Sequence, residues 1–357
     1  MTPASIAAVA SAVPGRHKTQ GEIWESFFAG HYDGSELAEQ VFANAGVETR
    51  HGVIDPAEED ISGWSTGRRM ERFVSEAMPL GEEALRAVLD RAGLTPEEIG
   101  LLAVVSCTGY ATPGLDILLA RDLGLPADVQ RLHIGHMGCY AAIPGLGAAA
   151  DTVAARGKTA LLLCLELTSL HVQPATEDAG QMVAHALFAD AAAAVALKPS
   201  DGSGGLEVLA VVARTDVAKS ELMTWDITDH GFRMGLSPRV PAVLRKHVGA
   251  VAEDLLAAHG LKAADVAGWA VHPGGPRIVD AVQKRLKLSD EQVAESAGVL
   301  RDYGNCSSAT VLLILERMLA SGRLKSGDHV VAMAFGPGLT LYMTLLRVTS
   351  PALSTST

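Results

Sequence analysis

Leu101-Leu102-Ala103-Val104-Val105-Ser106-Cys107 runs into Thr112-Pro113-Gly114, then into an amphipathic stretch, and then into His136-Met137-Gly138-Cys139 at the head of an alanine-rich helix. The same plan returns in the second half of the chain. Trp269-Ala270-Val271-His272 runs into Pro273-Gly274-Gly275, another amphipathic stretch follows, and Asp302-Tyr303-Gly304-Asn305 heads another apolar helix. Cys139 follows Cys107 by 32 positions and Asn305 follows His272 by 33. Each second helix leads to an apolar strand, Ala160 to Leu165 and Val330 to Ala334. Two copies of one strand-helix-helix-strand unit bring Cys139, His272 and Asn305 to a shared seam.

The duplication extends outward from that core. Leu80 to Ala92 reads as an amphipathic helix ending at Gly93, and Val248 to His259, ending at Gly260, is its counterpart. The clearest break is Pro199-Ser200-Asp201-Gly202-Ser203-Gly204-Gly205, which divides the chain into a first half, 1–204, and a second, 205–357. The Ser/Thr-rich tail from Thr349 to Thr357 is expected to fray. Strands buried on both faces read as unbroken apolar runs, as Leu101 to Val105, Ala160 to Leu165, Ala191 to Leu197 and Val330 to Ala334 all do. Such strands need helices on both sides. Two units sharing a central helical layer predict an α/β protein with an αβαβα stack, its middle filled by the helices that Cys139 and Asn305 open.

Composition narrows the function. A chain of 357 residues can bury a large core, and 48% hydrophobic with 4% aromatic residues suits alternating strands and Ala-rich helices. The formal charge of −12 argues against a nucleic-acid or anionic-membrane partner. No apolar stretch reaches the ~18 residues that span a bilayer, and the first residues do not read as a secretion signal, so a cytoplasmic location with reduced thiols is expected. The four cysteines, Cys107, Cys139, Cys164 and Cys306, lack metal-ligand spacing, so no metal is expected. Cys164, inside an apolar strand, reads as packing.

Each residue on the seam lies where an element ends. Cys139 at a helix start faces the positive end of the dipole, which favours thiolate. His272 closes a strand and Asn305 begins the mirror-related helix. Together they supply a nucleophile, a base and a hydrogen-bond donor. Taken singly, the cysteine reads as a small hydrophobe, the histidine as a capped core residue and the asparagine as an N-cap. Their recurrence at matching points of a repeat favours catalysis.

Several local contexts carry a resemblance. Gly138-Cys139, Ala186-Leu187-Phe188-Ala189-Asp190, His272-Pro273-Gly274-Gly275-Pro276, Tyr303-Gly304-Asn305-Cys306-Ser307-Ser308 and Phe335-Gly336-Pro337-Gly338-Leu339-Thr340 resemble the type III polyketide synthases, the chalcone synthase-like branch of the thiolase superfamily. The match runs from about Ala7 to the end. It implies the thiolase-like five-layer fold built from two duplicated halves, a homodimer and coenzyme A thioester substrates. Malonyl-CoA and a starter acyl-CoA are then substrates, and no cofactor is expected. It also implies that Cys139 accepts the starter acyl group, that His272 holds the sulfur as thiolate, and that His272 and Asn305 hydrogen-bond the thioester oxygen during decarboxylation. Iterative condensation and cyclisation to a pyrone, resorcinol or naphthol-type product would follow.

Around this trio, Cys107 and Thr108 match the family's pocket wall, although Cys107 also reads as a buried strand-end residue. Thr112 matches the point where a side chain crosses into the partner's cavity, and Ser307 belongs to the Asn-Cys-Ser-Ser context of the site. Gly336-Pro337-Gly338 resembles the loop lining the cyclisation cavity. Pro238 falls near the place of a gatekeeper phenylalanine in the plant enzymes, which favours an aliphatic or small starter. Arg50, Arg68, Arg69 and Arg72 are candidates for the coenzyme A phosphates, with a solvated charged face as the competing reading. His133 and His136 read as structural. The rival functions are a single-condensation ketoacyl synthase III-like or hydroxymethylglutaryl-CoA synthase-like enzyme, a Cys-His-Asn hydrolase of papain type, and a non-catalytic thiolase-fold subunit.

Overall fold

The computed structural model describes residues 2–202 and 204–350. Its main sheet contains β1 (Ala4–Ala12), β2 (Ile99–Ser106), β3 (Gln130–Gly135), β4 (Thr159–Leu167), β5 (Asp190–Pro199), β6 (Gly205–Thr215), β7 (Val266–Val271), β8 (His329–Gly336) and β9 (Thr340–Ser350). In space they run β7-β8-β9-β6-β1-β5-β4-β2-β3. The packing helices are α1 (Thr66–Ala92), α2 (Leu115–Asp122), α3 (Ala142–Arg156), α4 (Ala179–Leu187), α5 (Val240–Ala257), α6 (Pro276–Leu286), α7 (Ala294–Tyr303) and α8 (Thr310–Ala320). The C-terminal tail lies outside the described residues from Pro351 onward.

Pairing shows the duplication. In the first copy β2 runs parallel to β4, β4 antiparallel to β5, and β5 antiparallel to β1. In the second, β7 runs parallel to β8, β8 antiparallel to β9, and β9 antiparallel to β6. Among the described residues the two half-sheets pair where Ser5 meets Glu207 and Ile6 meets Leu206. The first copy adds β3 at its edge, parallel to β2, where the second carries α7.

Strand periodicity sorts the core into layers. Along β5, Ala192, Ala194 and Ala196 face an outer cluster with α1, while Ala191, Ala193, Val195 and Leu197 face the centre with Cys164 of β4. The central layer holds α3 and α8, each packed on strands of both half-sheets, while α5 covers the far face of the second. The result is the expected five-layer αβαβα stack. Its middle helix is thin for a reason: a Cβ on Gly145 would lie 3.0 Å from Leu162 of one half-sheet, and one on Gly147 would lie 3.3 Å from Val211 of the other.

Some boundaries differ from the sequence reading. α1 begins fourteen residues before Leu80, at Thr66, because Ser65 caps it and Phe73 and Ala77 continue its buried stripe through Pro79. α5 likewise begins earlier, at Val240, behind Pro241 in its first turn. Neither Cys139 nor Asn305 is a helix residue. Cys139 lies in a turn ahead of Ala142, and Asn305 pairs with Phe188 in an isolated bridge before a 3-10 turn, Ser307–Ala309, leads into α8.

Candidate active site

Cys139 is held by glycines and by the far end of β8. Gly138 has φ 78°, and a Cβ there would fall 2.7 Å from Pro337 Cδ, so only glycine fits. A Cβ on Gly336 would meet the Tyr140 ring at 2.7 Å and lie 3.5 Å from the Cys139 backbone nitrogen. The Gly336-Pro337-Gly338 turn therefore lies against the cysteine segment. His272 follows β7, the strand beside β8, and its backbone N–H donates to Met333 O at 2.8 Å. Both residues thus sit at the carboxyl ends of neighbouring strands.

Asn305 is anchored on both sides of its backbone, donating to Leu187 O at 2.8 Å and accepting from Ala189 N at 3.0 Å. Its Oδ1 accepts the Ser307 backbone N–H at 2.9 Å. That leaves the amide NH2 as the free donor, and it approaches the Cys139 sulfur together with the Ser307 hydroxyl. Ser307 has φ 49°, a left-handed position few non-glycine residues adopt, and it turns its hydroxyl to Cys107 Sγ at 3.4 Å as well.

Protonation differs from the sequence expectation. Burial pushes the Cys139 thiol up to about 12, against the lowering effect of Ser307 and Asn305, while the Glu166 carboxylate nearby raises it further. Burial alone pushes His272 down to about 3. Both shifts run against the effect expected of a helix end, because burial disfavours the charged form of either group. Desolvation wins because Cys139 is 7% exposed and His272 1%. Among the described residues neither imidazole nitrogen of buried His272 has a hydrogen-bond partner.

Behind the cysteine lies a carboxylate that sequence reading missed. Glu166 is fully buried in β4 and accepts from Cys107 N at 3.0 Å, from Thr108 Oγ1 at 2.8 Å, from the Cys107 thiol and from the Ser308 hydroxyl. Burial raises its carboxyl above the ordinary range, and the four donors oppose that rise. One signal was legible: a lone charge in the run Leu161 to Leu167, where both strand faces are buried, has to be met by partners.

Cys139, Asn305, Ser307, Cys107, Thr108 and the Gly336-Pro337-Gly338 turn are thus gathered together, with His272 one strand away. Thr112 stands apart on the surface, next to a cis peptide bond to Pro113. The four arginines are placed differently, and Arg50 lines a surface pocket with its Nε and Nη2 unpartnered among the described residues. Arg69 is buried and gives its N–H groups to backbone carbonyls including Trp64, Val172 and Ile61. Arg72 pairs with Glu59 and Glu76, and Arg68 lies 3.6 Å over the Trp64 ring. Arg50 holds His185 O at 2.6 Å and Phe188 O at 2.8 Å. Among the histidines read as structural, His133 lies 3.9 Å from Asp116, and His136 packs edge-on to Phe232 at 5.7 Å.

A pocket enclosing about 80 Å³ opens at the surface, lined mostly by first-half residues together with Trp225 and Phe232 of the second half. Arg16, Lys18 and His51 stand among its lining, and Phe28, Ile54, Val172, Phe188, Trp225 and Phe232 give it apolar walls. None of Cys139, His272 or Asn305 lines it.

A duplicated αβαβα stack with a buried cysteine at the meeting of its halves defines a thiolase-like condensing enzyme. Comparison with known proteins narrows the class. Residues 55–201 match the N-terminal domain of chalcone and stilbene synthases, and residues 210–350 match the C-terminal domain. The chain is 36% identical to 1,3,6,8-tetrahydroxynaphthalene synthase of Streptomyces peucetius subsp. caesius, over 96% of this chain and 93% of that protein. It is 34% identical to 3,5-dihydroxyphenylacetyl-CoA synthase of Streptomyces toyocaensis, over 96% and 89%. The crystal structure of 1,3,6,8-tetrahydroxynaphthalene synthase from Streptomyces coelicolor A3(2), a bacterial type III polyketide synthase, superposes with TM-score 0.91 at 28% identity, covering 96% of this chain and 99% of that one. The chain belongs to the chalcone and stilbene synthase family. It is a type III polyketide synthase, an acyltransferase that condenses coenzyme A thioesters with decarboxylation.

Proposed function

We propose that the chain loads a short acyl group on Cys139, extends it with malonyl-CoA units and cyclises the product to a naphthol, resorcinol or pyrone. The observation that carries this reading is the Asn305 amide, whose oxygen is occupied by Ser307 so that its NH2 is left for the Cys139 site. His272 acts first as base. Its ring, whose nitrogens have no partner among the described residues, takes the Cys139 proton as sulfur attacks the starter thioester, and returns it to the departing coenzyme A thiolate. One C–S bond forms at Cys139, one breaks at coenzyme A, and the proton ends on the free thiol.

Malonyl-CoA then enters. Loss of carbon dioxide leaves an enolate whose oxygen accepts hydrogen bonds from the Asn305 NH2 and an N–H of His272. Such donors are each worth roughly 3 kcal/mol in a water-excluded site. The enolate carbon attacks the acyl-Cys139 carbonyl, the C–S bond to Cys139 breaks with sulfur leaving as thiolate, and the chain, longer by two carbons and now on coenzyme A, returns to Cys139 by the same transfer before the next unit is added. Cys107, Thr108, Ser307 and the Gly336-Pro337-Gly338 turn bound the growing chain, no cofactor takes part, and the division of labour falls between the halves 1–204 and 205–357.

The working form is a homodimer in the cytoplasm. Supporting this, the outer strand β3 has one bonded neighbour, Leu132 on it is 37% exposed, and Ile117 and Tyr110 nearby are 42% and 48% exposed. An exposed edge with apolar neighbours is suited to pairing with a second copy, and Thr112 stands where it would reach across. No helix among the described residues is long and apolar enough to cross a membrane. The test is incubation with radiolabelled malonyl-CoA and a panel of acyl-CoA starters, with products identified by mass. A cyclised product with several malonyl-derived units supports the reading, and an uncyclised product with one such unit selects the single-condensation rival.

A further inference from the structure

Four consecutive carbonyls at the end of α4 are claimed by groups from elsewhere in the chain. A helix leaves its last carbonyls without an N–H of its own. Here Leu187 O accepts from Asn305 N at 2.8 Å, and Ala186 O accepts from Gln20 Nε2 at 2.8 Å. His185 O and Phe188 O both accept from one nitrogen, Arg50 Nη1, at 2.6 and 2.8 Å. Arg50 thus closes on the carbonyls to either side of the one that holds Asn305.

Arg50 belongs to the short strand Thr49–His51, which also holds the other approach to Asn305. Thr49 Oγ1 donates to Asp302 O at 2.7 Å and Glu48 N–H donates to Arg301 O at 2.8 Å, both in the last turn of α7 just before Gly304. A Cβ on Gly304 would lie 3.7 Å from Arg50 Cβ, so the arginine packs against the turn that carries the asparagine. Holding a cation here is costly. Arg50 is 7% exposed, and burial pulls its guanidinium down to about 10. Asp190 opposes that fall, but spends its oxygens on Val53 N–H, Ser169 N–H and the Thr168 hydroxyl. Stability alone would be served as well by an apolar side chain, since a buried charge contributes little net stability. What arginine adds is a planar group that sets two N–H bonds at a fixed angle on two carbonyls, at the negative end of a helix.

We propose that Arg50 is a positioning residue for Asn305: by fixing the end of α4 it places the asparagine NH2 where the enolate oxygen of decarboxylated malonyl-CoA forms. This rests on the polyketide synthase reading of the same site. The effect of Arg50 passes through the backbone and falls on one stage of the reaction. Loading of Cys139 relies on His272 as base, whereas decarboxylation needs the asparagine donor at its exact place. A displacement of about 1 Å caused far from the chemistry can cost about a hundredfold in rate.

The experiment compares the full-length native enzyme with Arg50→Gln, Arg50→Lys, Asn305→Ala and the double variant Arg50→Gln with Asn305→Ala. Carbon dioxide release from carboxyl-labelled malonyl-CoA reads decarboxylation, and intact-protein mass after single-turnover treatment with acetyl-CoA and octanoyl-CoA reads loading of Cys139. Arg50→Gln lowers kcat for carbon dioxide release about tenfold or more, and leaves KM for malonyl-CoA and the loading rate within about twofold. Where Asn305 is already alanine, the same change costs less than about twofold, because the group it positions is gone. Arg50→Lys keeps the charge and the donors without the fixed angle, and falls between native and glutamine. Should Arg50→Gln not fold, Arg50→Lys shows the same split at smaller size. Equal losses of loading and decarboxylation mean general damage to the fold and overturn the proposal. So do undiminished decarboxylation in a folded Arg50→Gln and a full further loss in the double variant. A raised KM for both thioesters with kcat unchanged overturns it as well, and assigns Arg50 to the coenzyme A phosphates. A native enzyme that loads neither starter and releases no carbon dioxide overturns the parent reading, and this inference with it.

Discussion

At the scale of single residues, the site depends on which groups are left unsatisfied. Polar atoms shut away from water normally find partners, yet both nitrogens of His272 lack them and the Asn305 amide spends only its oxygen on the fold. In the proposed mechanism those atoms are the ones that meet substrate. Cys139→Ala is therefore expected to abolish product and, in peptide mapping after starter-CoA treatment, the acyl adduct; an undiminished adduct on another residue with full turnover contradicts the assignment. Asn305→Ala is expected to lower malonyl-CoA decarboxylation by about a hundredfold or more while leaving single-turnover loading of Cys139 measurable. Ser307→Ala removes a hydroxyl that lowers the Cys139 thiol pKa, so the thiol rises further and alkylation by iodoacetamide at pH 9 slows relative to the native protein. Alkylation at an unchanged rate would show that the hydroxyl does not act on the sulfur.

At the scale of elements, glycines set the positions of the two reacting segments. Gly138→Ala forces a left-handed alanine into Pro337, and Gly304→Ala, at φ 74°, drives a Cβ to 2.9 Å from Leu187 O, the acceptor that anchors Asn305. Each variant is expected to lose about 1–2 kcal/mol of stability from backbone strain alone and a larger share of turnover, measured by denaturant midpoint alongside kcat. Full activity in either would mean that the segment tolerates displacement. Much of this level was legible from pattern, because apolar runs buried on both faces and helices ended by Gly93 and Gly157 leave a plain trace. The repeat placed Cys139 and Asn305 near helix starts but not within a residue or two of them. Short irregular segments, the turn at Cys139 and the bridge at Asn305, are fixed by contacts from distant strands that no local pattern records. Glu166 was missed for the same reason: its partners Cys107, Thr108 and Ser308 are distant from it in the chain. The burial that acts on Cys139 and His272 was not legible because a helix end is a local feature, whereas burial is a property of the whole stack.

At the scale of the molecule, three buried histidines govern response to acid. Burial holds His272 and His171 down to about 3 and His185 well below its ordinary value. A group whose folded pKa is depressed this way takes up its proton only on unfolding, so the stability it gives is present above about pH 6.5 and is lost as pH falls toward the folded value. With three such groups the unfolding free energy should fall by up to about 4 kcal/mol per pH unit below pH 6, and the slope of the His272→Gln variant should be smaller by about a third. Equilibrium denaturation at pH 6.5, 5.5 and 5.0 measures it, and an identical slope in the variant would mean that His272 is not held neutral. The dimer is tested separately: the native chain should elute at twice 37.2 kDa in light scattering, and Leu132→Asp on the edge strand should shift it toward the monomer. The central claim joins both halves, a sulfur from one facing an imidazole and an amide from the other. Its most direct test is carbon dioxide release from malonyl-CoA by Cys139→Gln, alone and combined with His272→Ala. The account predicts release without chain extension in the first and its collapse in the second; release that persists unchanged without His272 would contradict it.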